Sequence, residues 1–273
     1  MNIDDVVRRA LDEDLGAIGD VTTTAIVPAS LVGSGDLVAR AAGVVAGLPV
    51  AAAVFEIVSE GRARVEFGAA DGALVTPGEV LATVRGPVRD ILTGERTALN
   101  LLCHLSGVAT LTRRWVDAVA GTGAVIRDTR KTLPGLRALE KYAVRCGGGE
   151  NHRMSLSDAA LVKDNHVAVA GSAVKAFDAV RAAYPELPIE VEVDTVLQAR
   201  EVIDAGAELV LLDNMPPDQM REVVAYARGR ARLEASGELR LDRAREVAET
   251  GVDYLAVGAL THSAAVLDIG LDM

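Results

Sequence analysis

An α/β fold with a barrel-like parallel sheet is the architecture that this 273-residue sequence predicts. In the second part of the chain, short apolar runs alternate with amphipathic stretches. The runs begin roughly every 20 to 35 residues, the spacing of βα units. Run after run ends in a polar or small residue, namely Arg130, Lys163, Glu192, Asp213, Ser236 and Gly258. Functional groups at the ends of many different strands suit a barrel with one shared mouth. Neither GxGxxG nor GxxxxGK[ST] follows a strand, which weakens the doubly wound alternative. Only six or seven strands are visible, short of a full eight-stranded barrel.

From the N-terminus, Asp4 to Leu15 reads as a short amphipathic helix, and GDVTTTAIVP as turn and strand residues ending at Pro28. GDLVARAAGVVAG, ARVEFG and EVLATVRG read as strands parted by glycine-bearing turns such as DGALVTPGE. This part, to about residue 95, is expected to be a small α+β domain with an antiparallel sheet. In GERTALNLLCHLSGVATLTRRWVDAV, apolar residues such as Ala98, Leu101, Leu102, Leu105, Val108 and Val119 recur at helical spacing, predicting a long, largely buried helix. The strands that follow are AVIRDTRK, AALVKDNH, PIEVEVDT, LVLLDN, RARLEAS and DYLAVGA. Helical stretches lie between several of them: SAVKAFDAVRAAY, VLQAREVIDAG, PPDQMREVVAYARG and LDRAREVAETG.

Composition narrows the function. The net charge is −11, and there are one Trp, three Phe and four Tyr, which argues against nucleic-acid binding. Cys103 and Cys146 form no CxxC pattern, so neither a zinc site nor a disulfide framework is indicated. No apolar run approaches the roughly 18 residues of a membrane span. MNIDDVVRRALDEDLG lacks the apolar core of a signal peptide, so a soluble cytoplasmic protein is expected.

Against this acidic background, DTRKTLPGLRALEKYAVRCGGGENHR holds Arg130, Lys131, Arg137, Lys141, Arg145 and Arg153. The helical spacing of Arg137, Lys141 and Arg145 marks a solvated or subunit-facing side of a helix. Arg130, Lys131, His152, Arg153 and Lys163 remain as a basic half of the mouth, suited to several carboxylates or phosphates. Glu192 and Asp213 form an acidic half that could hold ribose hydroxyls, a divalent metal or a developing positive charge. In EVEVD, Glu190, Glu192 and Asp194 share one face, so the pattern alone does not single out Glu192. Ser236-Gly237 and Gly258-Ala259 offer close backbone approach to a phosphate. His104, on the apolar face of the long helix, is read as a packed core histidine, and His166 and His262 as loop or capping residues. Together these groups suggest a polyanionic substrate undergoing chemistry at a sugar carbon.

The same window, followed by SDAALVKDNH, EVEVD, LLDNM, EASGEL and GVDYLAVGALTHS, closely resembles the quinolinate phosphoribosyltransferase family. EDLGAIGDVTT and GERTALNLLCHLSGVATLT resemble it too, so the likeness runs from about residue 10 onward. The resemblance implies an incomplete TIM-like α/β barrel over 98–261, and an N-terminal α/β sandwich domain over 1–97 that the tail 262–273 rejoins. It implies transfer of phosphoribose from phosphoribosyl pyrophosphate to quinolinate with loss of CO₂, giving nicotinate mononucleotide for NAD biosynthesis. Arg130, Arg153 and Lys163 would grip the quinolinate carboxylates, with Thr129 and His152 beside them, and Lys131 would lie between the two substrates. Glu192 and Asp213 would serve the phosphoribosyl side, with Mg²⁺ bound mainly through substrate near them. The backbones of Ser236-Gly237-Glu238 and Val257-Gly258-Ala259 would cradle the 5′-phosphate. Arg96 would reach a neighbouring active site, making a homodimer the minimum assembly, with a hexamer as a further one. Ala235 and Glu238 depart from the family's usual residues, so the backbone and not the Glu238 side chain is assigned to the cradle. A molybdenum-transport-associated paralogue and a phosphate-ligand sensor are the rivals. The basic set together with Glu192 and Asp213 argues against both.

Overall fold

In the computed structural model, which describes residues 3–273, the chain opens with helix α1 (Ile3–Leu15). Its apolar side is buried through Val6, Val7 and Leu11. Helix α2 (Val21–Ile26) replaces the turn and strand read from GDVTTTAIVP. The Asp20 carboxylate accepts the Thr23 amide at 2.9 Å, and this N-cap outweighs the β-branched residues that suggested extended chain. Next come β1 (Val32–Ala39), β2 (Gly43–Val44), α3 (Leu48–Val58), β3 (Arg64–Phe67), β4 (Leu74–Val75), β5 (Val80–Pro87) and α4 (Val88–Ala118). Helix α3 has no counterpart in the sequence reading. Its run LPVAAAVFEIV is apolar nearly all round, so no amphipathic period marks it.

The remaining elements alternate as the sequence predicts. They are β6 (Val125–Arg127), α5 (Arg137–Cys146), β7 (Ala160–Val162), α6 (Asp164–Ala170), α7 (Ala173–Ala183), β8 (Ile189–Val193), α8 (Val196–Asp204) and β9 (Leu209–Asp213). After them come α9 (Pro217–Ala227), β10 (Arg232–Ser236), α10 (Ala244–Ala248), β11 (Tyr254–Ala256), α11 (Ala259–His262) and β12 (Ile269–Asp272).

Two compact units result. One comprises 1–113, 132–148 and 260–273. Its four-stranded antiparallel sheet has the order β12-β1-β5-β3, so strands from opposite ends of the sequence are hydrogen-bonded neighbours. Phe55, Leu81, Ile91, Leu102 and Leu105 are among its fully buried side chains. The other unit comprises 114–131 and 149–259 and contains an incomplete α/β barrel. Its six strands are parallel, in the order β6-β11-β10-β9-β8-β7. Beyond β6, Glu150 makes a single parallel bridge to Arg127, laying Gly149–Arg153 along that edge.

Strand alternation divides the barrel's side chains. Val191, Val210, Leu212, Ala235 and Leu255 form one wholly buried apolar row. Glu190, Glu192, Asp213, Glu234 and Ser236 occupy the alternate positions, so the barrel interior is polar and its helix-facing surface is apolar.

Helix α5 corrects one expectation. Lys141 is completely buried, as is its neighbour Glu140, so Lys141 does not lie on a solvated side. Arg145 is exposed, while Arg137 is half-buried and donates to Thr132 Oγ1. Glu140 accepts both the Leu133 amide, at 3.1 Å, and a contact from His104 Nε2, at 2.9 Å. The histidine read from the sequence as a core residue is thus a partly buried partner for a fully buried, anchored glutamate. After α5 the glycines are structural. A Cβ at Gly147 would lie 2.4 Å from the Ala109 carbonyl oxygen on α4, and Gly148 has φ +91°.

Candidate active site

Strand β6 delivers Asp128, Thr129, Arg130 and Lys131 in succession. Asp128 is fully buried and acts as a staple. Its Oδ1 accepts the His152 amide at 2.8 Å, and its Oδ2 accepts Asn151 Nδ2 at 2.6 Å. The return segment Asn151-His152-Arg153 is therefore held to the end of β6 by one carboxylate. Thr129 Oγ1 accepts the Lys131 amide at 3.0 Å and shapes the next turn. The Arg153 guanidinium donates to the Ala159 carbonyl at 2.8 Å. Its proton affinity is lowered, first by burial and then by the positive field of Arg130. Arg130 and Arg153 are thus electrostatic neighbours, a pairing that favours an anionic ligand to relieve it.

Below this basic set lies a buried cluster. His152 Nε2 sits 2.6 Å from Glu190 Oε2 and 3.5 Å from Glu234 Oε1, and Arg127 donates to Glu234 Oε2 at 3.2 Å. The Arg127 guanidinium also covers the Tyr254 ring, 3.2 Å from its centroid. Burial, and then the Glu190 charge, push the Glu234 carboxyl up to about 7. Burial alone would depress His152, but Glu190 and Glu234 outweigh it and hold the ring above its ordinary value. A cavity of about 730 Å³ opens onto this cluster from the starts of β7, β8, β9 and β10. Three donor atoms of His152, Glu190 and Glu234 lie within 4.8 Å of one another, a spacing a metal could use. The surrounding bonds favour a proton instead. His152 Nδ1 accepts the Arg153 amide at 2.7 Å, which leaves the ring proton on Nε2, facing Glu190. A metal-bound histidine makes the opposite outer bond, donating from its second nitrogen.

Higher on the same strands, Glu192 is ion-paired with Lys163, which begins α6 at the end of β7. His166 accepts the Lys163 amide at 2.9 Å, which makes it the capping residue expected. Asp213 ends β9, and its Oδ2 accepts Asn214 Nδ2 at 2.9 Å. After β10 come Ser236, Gly237 and Glu238, with Gly237 at φ +108°. The Glu238 amide donates to Asn214 Oδ1 at 3.1 Å, so Asn214 engages one donor of the expected phosphate cradle. After β11, Val257 donates its amide to the Arg127 carbonyl, and Gly258 leads into α11 at Ala259.

Residues 20–106 match the N-terminal domain of quinolinate phosphoribosyl transferase, and residues 108–272 match its C-terminal domain. The chain belongs to the quinolinate phosphoribosyltransferase family. As a member, it is a phosphoribosyltransferase. It is 56% identical to the nicotinate-nucleotide pyrophosphorylase (carboxylating) of Mycobacterium leprae, over 98% of this chain and 96% of that one. A probable enzyme of the same name from Bacillus subtilis is 42% identical, over 96% and 90%. Among solved structures, nicotinate-nucleotide pyrophosphorylase from Ehrlichia chaffeensis superposes with a TM-score of 0.95 at 37% identity, covering 100% of this chain and 98% of that one. Human nicotinic acid phosphoribosyltransferase shares the fold alone, with a TM-score of 0.68 at 13% identity, over 100% and 74%.

Thr129, Arg130, Lys131, His152, Arg153, Lys163, Glu192, Asp213, Ser236, Gly237, Glu238, Val257, Gly258 and Ala259 all lie in the barrel unit. Arg96 lies on α4 in the other unit, with 64% of its side-chain surface exposed. The sequence reading missed Asp128, Arg127, Glu190, Glu234 and Asn214 as working parts. Glu190 and Glu192 share a strand face, and only position along the barrel separates them. Glu190 reaches the buried histidine, and Glu192 reaches the lysine. Asn214 carried a usable signal, since a polar residue directly after a strand-end aspartate commonly shapes the turn.

Proposed function

We infer that this protein joins quinolinate and phosphoribosyl pyrophosphate into nicotinate mononucleotide, with release of pyrophosphate and CO₂, as a step of de novo NAD biosynthesis. One observation carries the reading: the same α/β unit holds the basic residues Arg130, Arg153 and Lys163 and also Asp213 with the Ser236–Glu238 loop, joined through Asn214. The first set suits a dicarboxylate and the second a phosphorylated sugar.

The pyridine nitrogen attacks the anomeric carbon as pyrophosphate departs, and positive charge develops on the ribose, as in glycosyl transfer generally. The Asp213 and Glu192 carboxylates favour that charge. Lys163 has three donors, so it can bind a quinolinate carboxylate while keeping its contact with Glu192. Lys131 would neutralise charge between the two substrates. Once the nitrogen is alkylated, the C2–carboxylate bond breaks, the cationic ring stabilises the electron pair left on carbon, and a proton takes the place of CO₂. Positioning and electrostatics supply most of the rate, because no side-chain nucleophile is required. Asp213 and Glu192 are oxygen donors of the kind Mg²⁺ prefers, and with Glu192 already paired to Lys163, Asp213 is the better placed to meet a substrate-borne ion. Such an ion would neutralise the pyrophosphate.

The assembly is a homodimer at minimum, with Arg96 completing the quinolinate grip of a neighbour. The exposure of Arg96 and of the apolar residues Ile18, Val21, Ile26, Leu31 and Val32 supports this reading. A cytoplasmic setting fits Cys103 and Cys146, which are free thiols. None of the described helices is long and apolar enough to cross a membrane. The deciding assay supplies quinolinate, phosphoribosyl pyrophosphate and Mg²⁺ and follows nicotinate mononucleotide and CO₂. Equimolar formation of both is expected. Product from nicotinate but not from quinolinate would overturn the assignment.

A further inference from the structure

Asn214 occupies the single position between the strand-end carboxylate and the loop after β10. Its backbone lies in the left-handed region at φ +51°, where asparagine is among the few side chains tolerated. Its amide donates to the Ser236 carbonyl at 3.0 Å, closing the gap between the two strand ends. Its side chain then divides its two functions. Nδ2 donates to Asp213 Oδ2 at 2.9 Å, and Oδ1 accepts the Glu238 amide at 3.1 Å.

This orientation is fixed by its partners. Turning the carboxamide over would set its NH₂ against a backbone N–H and its oxygen against a carboxylate. The fit on the loop side is close. A Cβ at Gly237 would fall 2.2 Å from Asn214 Oδ1 and 2.8 Å from its backbone nitrogen, and Gly237 itself holds φ +108°. The loop can therefore take this shape only with glycine at 237 and a compact side chain at 214. A cavity of about 430 Å³, lined in part by Asn214, Ser236 and Glu238, adjoins the pair.

We propose that Asn214 is a positioning residue that sets the Asp213 carboxylate and the Ser236–Glu238 loop together, so that the ribose and 5′-phosphate ends of the phosphoribosyl group are read as one unit. The inference rests on the assignment of Asp213 and that loop to the phosphoribosyl substrate. Asn214 acts through both without contributing a reacting group.

Three variants test this. Asn214→Asp keeps an oxygen for the Glu238 amide but faces Asp213 with a second carboxylate. The KM for phosphoribosyl pyrophosphate should rise at least about tenfold, the scale of a lost charge-assisted bond, while that for quinolinate stays within about twofold. In an Asp213→Asn background the repulsion is gone, and Asn214→Asp should then cost less than about threefold. Equal losses in the two backgrounds, or a parallel rise in both KM values, would overturn the coupling. Asp213→Asn alone separates the two levels of the argument. If it leaves the KM for phosphoribosyl pyrophosphate unchanged, the site assignment fails and not merely the role of Asn214. Asn214→Gly preserves the left-handed backbone and removes only the side chain. Its calorimetric affinity for ribose 5-phosphate, measured without metal, should fall about tenfold or more. Retained affinity in a folded variant would refute the loop half of the proposal.

Discussion

At the proposed quinolinate grip, the side chain most open to a direct test is Arg153. It is one of two neighbouring guanidiniums, and its lowered proton affinity reflects burial and the nearness of Arg130. Replacing it with alanine should weaken quinolinate binding by about 2 kcal/mol, a factor of roughly 30, with little change for phosphoribosyl pyrophosphate. Unchanged quinolinate affinity by calorimetry would remove it from the grip. The buried Glu234 makes a prediction of a different kind. Its carboxyl is held above the ordinary glutamate value, so the stability that comes with its protonation is complete below about pH 4.5 and is lost as the pH rises through about 7. Urea midpoints of the native protein should therefore fall between about pH 5 and about pH 8, and Glu234→Gln, which cannot ionise, should flatten that fall. Parallel profiles would contradict the assignment. At this scale the sequence was partly legible. Residue type and strand-end position mark Arg130, Lys163 and Asp213. Only depth in the barrel separates Glu190 from Glu192, and a period-two pattern carries no depth.

Among the elements, the glycine bend after α5 shows how a motif can be functional in position yet structural in cause. Gly147 lies against the α4 backbone, where an added Cβ would fall 2.4 Å from the Ala109 carbonyl oxygen, and Thr112 crowds the same point. Gly147→Ala should destabilise the protein by about 2 kcal/mol through overpacking, read as a lowered urea midpoint with an unchanged slope. A neutral substitution would mean that α4 can move aside. The flanking helix α5 is where charge misled: Lys141 looks like one of three helical surface cations, yet it is wholly buried beside Glu140. Spacing along a helix reports which residues share a face, and it does not say which face is solvated when both carry charges. Strands fared better than caps. All six barrel strands lie within their predicted runs, because alternation with helices is a long-range signal. The turn-like GDVTTTAIVP became α2 through one Asp20 bond, a local event that composition does not weigh.

For the whole molecule, the consequential question is whether one active site draws on two subunits. Arg96 is exposed on α4, and the other proposed site residues belong to the barrel unit. Arg96→Ala mixed with Asp213→Asn should regain part of the native activity as hybrid dimers form, up to about a quarter of it if one intact site per hybrid is fully competent and exchange is random. No recovery, under conditions where labelled subunits are shown to exchange, would place Arg96 outside the partner's site. The two-part architecture was legible in the sequence, since antiparallel and βα patterns differ in period. The return of the chain to its starting sheet came only with the family resemblance. That return also sets the order of assembly. Strands β7 to β11 pair in chain order and can do so as the chain lengthens, while β6 gains its strand partner once β11 is made, at 254–256. In the other unit, β1 remains an open edge until β12 is available, and Arg40 cannot meet Asp272, 232 positions further along the chain, until the tail is made. An unpaired strand edge is an invitation to pair with another chain. A nascent or truncated polypeptide that carries β1 without β12 should therefore be the aggregation-prone species, even with every catalytic group in place.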